Sequence, residues 1–162
     1  MAIRNTAKAL IVEGNRILLN RCVTEGGEVY YDLPGGGQNQ FESMEEAVVR
    51  EVLEETGRRI RVVRFAALGE TIFEDPELRE KYFEYSHRMF HIFLAEIDDG
   101  GVVEPAEMDF QQEASVWLEL EEADKVEFRP AVLDGRISQL VRSGMPVYLG
   151  CGREGCSMGQ RY

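Results

Sequence analysis

The side chains of this sequence that are best suited to chemistry are the acidic residues between positions 42 and 55. On a helix with 3.6 residues per turn, Glu51 lies over Ala47, and Glu55 lies over Glu51, so two carboxylates share an apolar stripe. Glu54 adds a third carboxylate within one turn of Glu51. Like charges at these spacings destabilise a helix by roughly 0.2–0.5 kcal/mol per pair, so a positive partner is expected at this face.

Arg50 is one candidate for that partner, because it can pair with Glu46 or Glu54 at i,i+4. One guanidinium cannot neutralise the whole cluster. Clustered carboxylate oxygens suit Mg²⁺ or Mn²⁺, which keep water ligands and share substrate phosphates. Such an ion polarises a phosphate and lowers the pKa of a bound water. The pattern therefore favours hydrolysis of a phosphate ester or anhydride, and a solvated helix face is the alternative.

A glycine-rich segment and a helix are predicted to position these carboxylates. Ser43 and Glu46 form a capping box at the start of the helix, and Gly57 is a natural stop after its last turn. Before the helix, the sequence Pro-Gly-Gly-Gly at 34–37 cannot continue a strand, so we predict a loop whose backbone approaches a ligand closely. A mobile loop without function is the alternative for this segment.

The rest of the chain alternates between short apolar runs and turn residues, which predicts strands. The predicted strands are 7–12 and 17–20, joined as a hairpin, then 29–33, 60–67, 89–97 and 115–120. The other predictions are an acidic loop or short helix interrupted by Pro76 at 73–84, a turn at 98–101, a helix opened by Pro130 at 130–141, and a loosely ordered tail at 143–162. Strands mixed with two helices favour an α/β sandwich.

Length and composition indicate one globular domain spanning residues 1–162. Its 30 acidic and 18 basic residues give a net charge of −12, which argues against a nucleic-acid backbone as partner. The three cysteines are too few for a disulfide scaffold. With no leader and no membrane-spanning run, we expect a soluble cytoplasmic protein. The apolar run 89–97 suits either a core strand or a homodimer interface.

The acidic helix and the segment before it resemble the signature of the Nudix hydrolase family. That signature is a glycine, five residues, a glutamate, seven residues, Arg-Glu, an apolar residue, any residue, Glu-Glu, any residue, a glycine and an apolar residue. The matching residues here are Gly36, Glu42, Arg50, Glu51, Val52, Glu54, Glu55 and Gly57. Arg58 stands where the family has an apolar residue, and Ile60 is expected to supply the missing packing.

The resemblance also implies a fold and a metal site. The fold is an α/β/α sandwich with a mixed β-sheet between helices. In the site, Glu51, Glu54 and Glu55 would bind Mg²⁺ or Mn²⁺. Gly35 would add a backbone carbonyl, and Arg50 would orient Glu51 by hydrogen bonding.

Further residues are candidates for the remaining roles in such a site. The general base varies within the family, and Glu51 and Glu113 are both candidates here. Glu42 would have a structural or outer metal-shell role. The candidate substrate-binding residues are Arg21, Tyr31, Gly36, Gly37, Tyr85, His87 and Arg88. Basic side chains can hold phosphates and tyrosine rings can stack on a base, although each residue alone is also typical of a surface or packing position.

Two functions from different classes follow from the resemblance. The first is an enzyme, a metal-dependent pyrophosphohydrolase that cuts a nucleoside triphosphate, a nucleotide sugar, ADP-ribose or a dinucleoside polyphosphate. The second is a non-catalytic Nudix domain that senses nucleotides. The intact signature favours the enzyme. Cleavage at RNA 5′ ends keeps the same chemistry, but it needs a basic channel and is disfavoured by the net charge.

Overall fold

The computed structural model of the chain describes residues 3–106, 108 and 111–155, apart from the side chain at position 99. The strands are β1 (Arg4–Glu13), β2 (Arg16–Val23), β3 (Val29–Asp32), β4 (Gly35–Gly37), β5 (Arg58–Phe73), β6 (His87–Val102), β7 (Gln112–Glu119) and β8 (Val147–Glu154). The helices are α1 (Met44–Thr56), α2 (Pro76–Lys81), α3 (Leu120–Ala123) and α4 (Ile137–Arg142), with 3₁₀ turns at Phe83–Tyr85 and Ala131–Leu133. Within these residues, no helix is long and apolar enough to cross a membrane.

The strands form a mixed sheet with helices on both sides. Its order is β3-β2-β1-β6-β5-β8, with β4 beside β1 and β7 beside β2. β1 is parallel to β6 and β5 is parallel to β8, whereas the remaining pairs are antiparallel. Alternate residues of β1 serve two cores: Ala7, Ala9 and Ile11 pack beneath α1, and Leu10 packs in the core that includes residues of α3 and α4. This arrangement confirms the predicted α/β/α sandwich.

Helix α1 is confirmed, with the predicted signals at both ends. The Ser43 hydroxyl accepts a hydrogen bond from the Glu46 amide, and the Glu46 carboxylate accepts one from the Ser43 amide. Glu46 is therefore engaged in the cap, and Glu54 is the i,i+4 partner of Arg50. Gly57 ends the helix in the left-handed conformation, with φ of 66°.

The departure from the signature at Arg58 is accommodated at the start of β5. The Arg58 guanidinium lies over the Trp117 ring, 5.8 Å from its centroid, in a cation–π contact. Ile60 is buried in the core beneath α1, so it supplies the packing that the sequence predicted. An arginine at this position is therefore compatible with the packing of α1.

Residues 35–37 form strand β4, so the predicted loop is wrong. Their backbone pairs with residues 6–8 of β1. A Cβ on Gly35 would lie 2.2 Å from the Ala7 carbonyl oxygen, and Gly35 has φ of 127°, which other residues rarely adopt. Strand pairing at this short separation is possible because glycine has no side chain.

Strands β5 and β6 extend well beyond the predicted limits of 60–67 and 89–97. They pair with each other from Arg58 opposite Val102 to Ile72 opposite His87, with three register shifts. Each strand supplies backbone partners where the apolar pattern of the other has ended. The residues predicted as a turn at 98–101 consequently lie inside β6.

Proline and glycine account for two further differences. Pro76 begins α2, with the Asp75 side chain as its N-cap, instead of interrupting a helix. The continuous helix predicted from Pro130 is wrong, because a 3₁₀ turn comes first and Gly135, with φ of 68°, separates that turn from α4.

The C-terminal segment contains a strand where the sequence predicted a loose tail. Val147–Glu154 forms β8, which pairs in parallel with residues 67–73 of β5. Its partner is distant in the sequence, so local pattern gives no sign of the strand. Residues 156–162 of the predicted tail lie outside the described residues.

Candidate active site

A cavity of about 450 Å³ lies beside α1, β4 and the start of β1. Its lining combines three carboxylates, three glycines, aromatic rings and basic side chains. The lining residues are Arg4, Thr6, Lys8, Tyr30, Asp32, Gly35, Gly36, Gly37, Glu51, Glu55, Phe73, Tyr82, Tyr85, Arg88, Phe90 and Arg129. We call Glu51, Glu55 and the glycines the acidic wall, and we call Tyr30, Phe73, Tyr82, Tyr85, Phe90 and the three arginines the aromatic wall.

The acidic wall depends on the absence of a side chain at Gly36. A Cβ at Gly36 would lie 2.4 Å from Oε2 and 2.5 Å from Cδ of Glu51. Any larger residue would therefore push the Glu51 carboxylate away. The glycine of β4 is what allows a side chain of α1 to reach the cavity.

Arg50 holds the signature residues around the acidic wall together. Its guanidinium donates two hydrogen bonds to Glu42, from Nε at 2.7 Å and from Nη2 at 2.9 Å. Nη1 donates to Glu51 at 2.8 Å and to Glu54 at 3.0 Å, and Nη2 also donates to the Gly37 carbonyl at 2.9 Å. Paired donors of this kind fix both distance and orientation. The predicted hydrogen bond between Arg50 and Glu51 is therefore present.

These contacts change the ionisation of the partners. The pKa of Glu42 falls from its ordinary 4.5 to about 2. The hydrogen bonds from Arg50 are the main cause, and the hydrogen bond from the Asn39 amide contributes to the same shift. The same contacts raise the pKa of Arg50. At neutral pH the Glu42 carboxylate is therefore ionised and holds the Arg50 guanidinium in place.

Glu55 is the most buried carboxylate of the acidic wall, with 5% of the residue exposed. Its Oε2 accepts hydrogen bonds from Asn20 Nδ2 and from the Gly35 amide, both at 2.9 Å. The Asn20 Oδ1 in turn accepts from Gln112 Nε2 at 3.2 Å and from the Ser115 hydroxyl at 3.1 Å. A buried network therefore fixes the orientation of the Asn20 amide and of the carboxylate it holds.

The acidic wall fits a divalent cation in part. Within the described residues, no three acidic, histidine or cysteine side chains converge closely enough to hold a metal as they stand. Glu51 and Glu55 reach the cavity, whereas the side chain of Glu54 is 37% exposed and turned towards Arg50. Two hard oxygen donors on one helix face suit Mg²⁺ or Mn²⁺, and Glu54 would join them by leaving Arg50.

The aromatic wall supplies rings and positive charge. Arg88 lies over the rings of Phe90 and Phe73, with centroid distances of 5.2 and 5.7 Å. Arg4 lies over Tyr85 at 4.7 Å. Flat rings suit a nucleobase, and guanidinium groups suit phosphates. Tyr85 and Arg88 were both predicted from the sequence as substrate-binding residues, and both line the cavity.

Other predicted residues lie elsewhere. Arg21 and Glu113 form an ion pair on the β2–β7 surface, and neither is among the described residues that line the cavity. Tyr31 alternates with Tyr30 along β3 and packs against a core, so Tyr30 is the residue that lines the cavity. His87 contacts Glu70 at 2.6 Å and is not among the described residues that line the cavity.

Several residues of the site were not predicted from the sequence, because their roles depend on contacts with distant parts of the chain. Asn20 stands at the end of an apolar run in β2, which is the one local sign that a buried polar role exists there. Lys8 is similar, since it is 6% exposed within β1 and pairs with Asp32 at 2.7 Å. Arg129 carries no local sign of its place in the cavity.

The fold and the site together define a class of protein. A mixed sheet lies between helices, and an acidic signature helix follows a strand of glycines that opens onto a cavity. The family model for the NUDIX domain matches residues 2–136. The chain therefore belongs to the Nudix hydrolase family.

Solved structures of Nudix proteins have the same fold. The mutator MutT protein from Bacillus halodurans has a TM-score of 0.68 at 20% identity, over 90% of this chain and 87% of its own. An ADP-ribose pyrophosphatase from Streptococcus suis has a TM-score of 0.59 at 21% identity, over 93% and 100%. The MutT protein from Methanosarcina mazei has a TM-score of 0.53 at 28% identity, over 86% and 94%.

Proposed function

We propose that this protein hydrolyses a phosphoanhydride bond in a small molecule linked to a nucleoside diphosphate, with Mg²⁺ or Mn²⁺. The observation that carries the proposal is that Glu51 and Glu55 line the same cavity as a set of aromatic rings and arginines. Carboxylates alone would repel a polyphosphate, so the acidic wall needs a cation to be useful. The aromatic wall suits the base and the remaining phosphates.

The positions of the residues support the following roles within this proposal. Glu51, Glu54 and Glu55 would hold the metal, which supplies charge neutralisation on the phosphates and an acidified water when bound. Arg50 keeps Glu51 oriented, and Asn20 keeps Glu55 oriented. Of the two predicted bases, Glu51 lines the cavity and Glu113 is not among the described lining residues, which supports Glu51 as the group that accepts a proton from water.

A product-resolved activity screen tests the proposed function. The panel contains nucleoside triphosphates, nucleotide sugars, ADP-ribose and dinucleoside polyphosphates, each with Mg²⁺, Mn²⁺ or EDTA. We expect cleavage of at least one class that depends on the metal and yields two phosphorylated products, or a nucleotide and pyrophosphate. Binding of a nucleotide without turnover on any compound would contradict the proposal and favour the alternative, a nucleotide-sensing domain.

The substitution Gly36→Ala tests the path by which Glu51 reaches the cavity. The new Cβ would meet the end of a flexible side chain, so we expect a loss of about 1 kcal/mol or less in the free energy of unfolding. Because Glu51 must turn away, kcat/KM should fall by roughly tenfold or more. Gly26→Ala is the control, since its Cβ would make an ordinary 3.6 Å contact with Thr24. Full activity in Gly36→Ala would show that the Glu51 position is unimportant.

Compartment and assembly are part of the same proposal. The small number of cysteines, three in 162 residues, supports a reducing compartment such as the cytoplasm. We also propose a homodimer as the assembly to be tested. Sedimentation velocity measures the assembly directly.

A further inference from the structure

The side chain of Arg129 is largely buried in the aromatic wall and is not held by a close anion among the described residues. It is 12% exposed, and its guanidinium carbon lies 4.1 Å from the centroid of the Tyr30 ring. The nearby carboxylates of Glu28 and Glu127 are each 3.9 Å from Nη2. That distance is beyond hydrogen-bond reach, and both glutamates are more than half exposed, so water screens them.

The hydrogen-bond donors of Arg129 are buried as well. Its Nε and Nη1 have no hydrogen-bond partner among the described residues. A guanidinium has five N–H donors and does not lose its proton in a protein. Burial of such a group without an acceptor is costly, and stacking on Tyr30 covers one face of the group while satisfying none of its donors. Buried donors in a cavity wall point to an acceptor that arrives with a ligand.

Two other cations of the cavity have closer anionic partners than Arg129 has. Lys8 Nζ lies 2.7 Å from an oxygen of Asp32, and Arg88 Nη2 lies 3.5 Å from an oxygen of Glu154. Their charges are balanced within the protein. Arg129 differs from both of them, and its charge is therefore better available to a ligand.

We propose that Arg129 binds a phosphoryl group of the substrate, with its guanidinium supported by the ring of Tyr30. This proposal rests on the proposed function, because a substrate with a phosphoanhydride supplies the anion. The planar guanidinium matches phosphate oxygens with paired donors. Arg129 is then a specificity-determining residue that lies outside the signature.

Tyr30 is compatible with an anion beside it. Burial is the main cause that raises the pKa of its phenol, and the hydroxyl donates a hydrogen bond to Gln111 at 3.1 Å. The ring therefore stays neutral at working pH and adds no repulsion to a bound phosphate.

An anion titration observed through arginine side chains tests the proposal without catalysis. Inorganic phosphate and pyrophosphate are added to ¹⁵N-labelled protein without metal, at constant ionic strength, while the arginine Nε–H resonances are recorded. Arg129→Lys assigns the Arg129 resonance by its disappearance and retains the charge. We expect this resonance to shift saturably in the wild type. We expect Arg129→Gln to weaken pyrophosphate binding by about tenfold or more.

Arg142→Gln is the matched control, because Arg142 is 60% exposed and pairs with Glu121 away from the cavity. Its pyrophosphate binding should equal that of the wild type. The proposal is overturned if the Arg129 resonance ignores both anions, if it responds equally to acetate, or if Arg129→Gln binds pyrophosphate as tightly as the wild type. Because no turnover is required, this outcome is independent of the activity screen that tests the proposed function.

Discussion

Glu55→Gln should abolish most activity while leaving the fold intact. Glu55 Oε2 accepts hydrogen bonds from Asn20 and Gly35, and the oxygen of a glutamine amide can accept both in the same place. The negative charge that a cation needs is lost, so we expect kcat/KM to fall roughly 100-fold. Removing a like charge four residues from Glu51 should leave the free energy of unfolding unchanged or raise it slightly.

The measurement compares steady-state kinetics and chemical denaturation of this variant with those of Glu45→Gln. Glu45 lies on the same helix but is exposed. It loses the same charge, so a general effect of helix charge would appear equally in both variants. A folded Glu55→Gln protein with wild-type kcat/KM would refute the assignment of the acidic wall as the chemical site.

Arg50→Gln should lower the free energy of unfolding by more than the loss of an exposed ion pair does. The substitution removes the hydrogen bonds that Arg50 donates to Glu42, Glu51 and Glu54. Breaking a buried ion pair typically costs 3–5 kcal/mol, and because Arg50 is 28% exposed we expect roughly 2 kcal/mol at pH 7. Urea denaturation measures the loss. Arg61→Gln, which removes an exposed pair with Glu96, should cost less than about 1 kcal/mol.

The pH dependence of this loss has a definite sign. A carboxyl whose pKa is lowered on folding contributes stability above its unfolded value, and this contribution disappears as the pH falls towards the folded value. For Glu42 those values are 4.5 and about 2. The difference in unfolding free energy between wild type and Arg50→Gln should therefore be largest above pH 4.5 and should shrink as the pH falls towards 2. A difference that stays constant over this range would exclude the Glu42 contact as its source.

The features that the sequence predicts well are those encoded within a few residues. The capping box joins residues three apart, Gly57 is a local stop, and the spacing of Glu51 and Glu55 follows from helix geometry. The predicted fold class also rests on local patterns, because the order of strands and helices is visible in the apolar runs. Spacing along the helix predicts Glu46 or Glu54 as the partner of Arg50, whereas the contact between Arg50 and Glu51 was predicted from the family resemblance.

The features that the sequence does not predict depend on partners far away in the chain. Asn20 donates a hydrogen bond to Glu55, which lies 35 positions away in the sequence. Strand β8 forms because its backbone pairs with the edge of β5. The surroundings of Glu113 also depend on a distant partner, because β7 pairs with β2 and Glu113 forms an ion pair with Arg21. Arg129 reaches the cavity through a bridge between Phe128 and Tyr31, which no local pattern encodes.

The acidic wall and Phe90 of the aromatic wall are supported by different cores. Glu51 and Glu55 belong to a helix that rests on one core, whereas Phe90 of the aromatic wall belongs to the other core. Substitutions that reshape the aromatic wall therefore need not disturb the packing that orients the carboxylates. Substrate specificity can therefore change during evolution while the acidic wall and its chemistry are conserved.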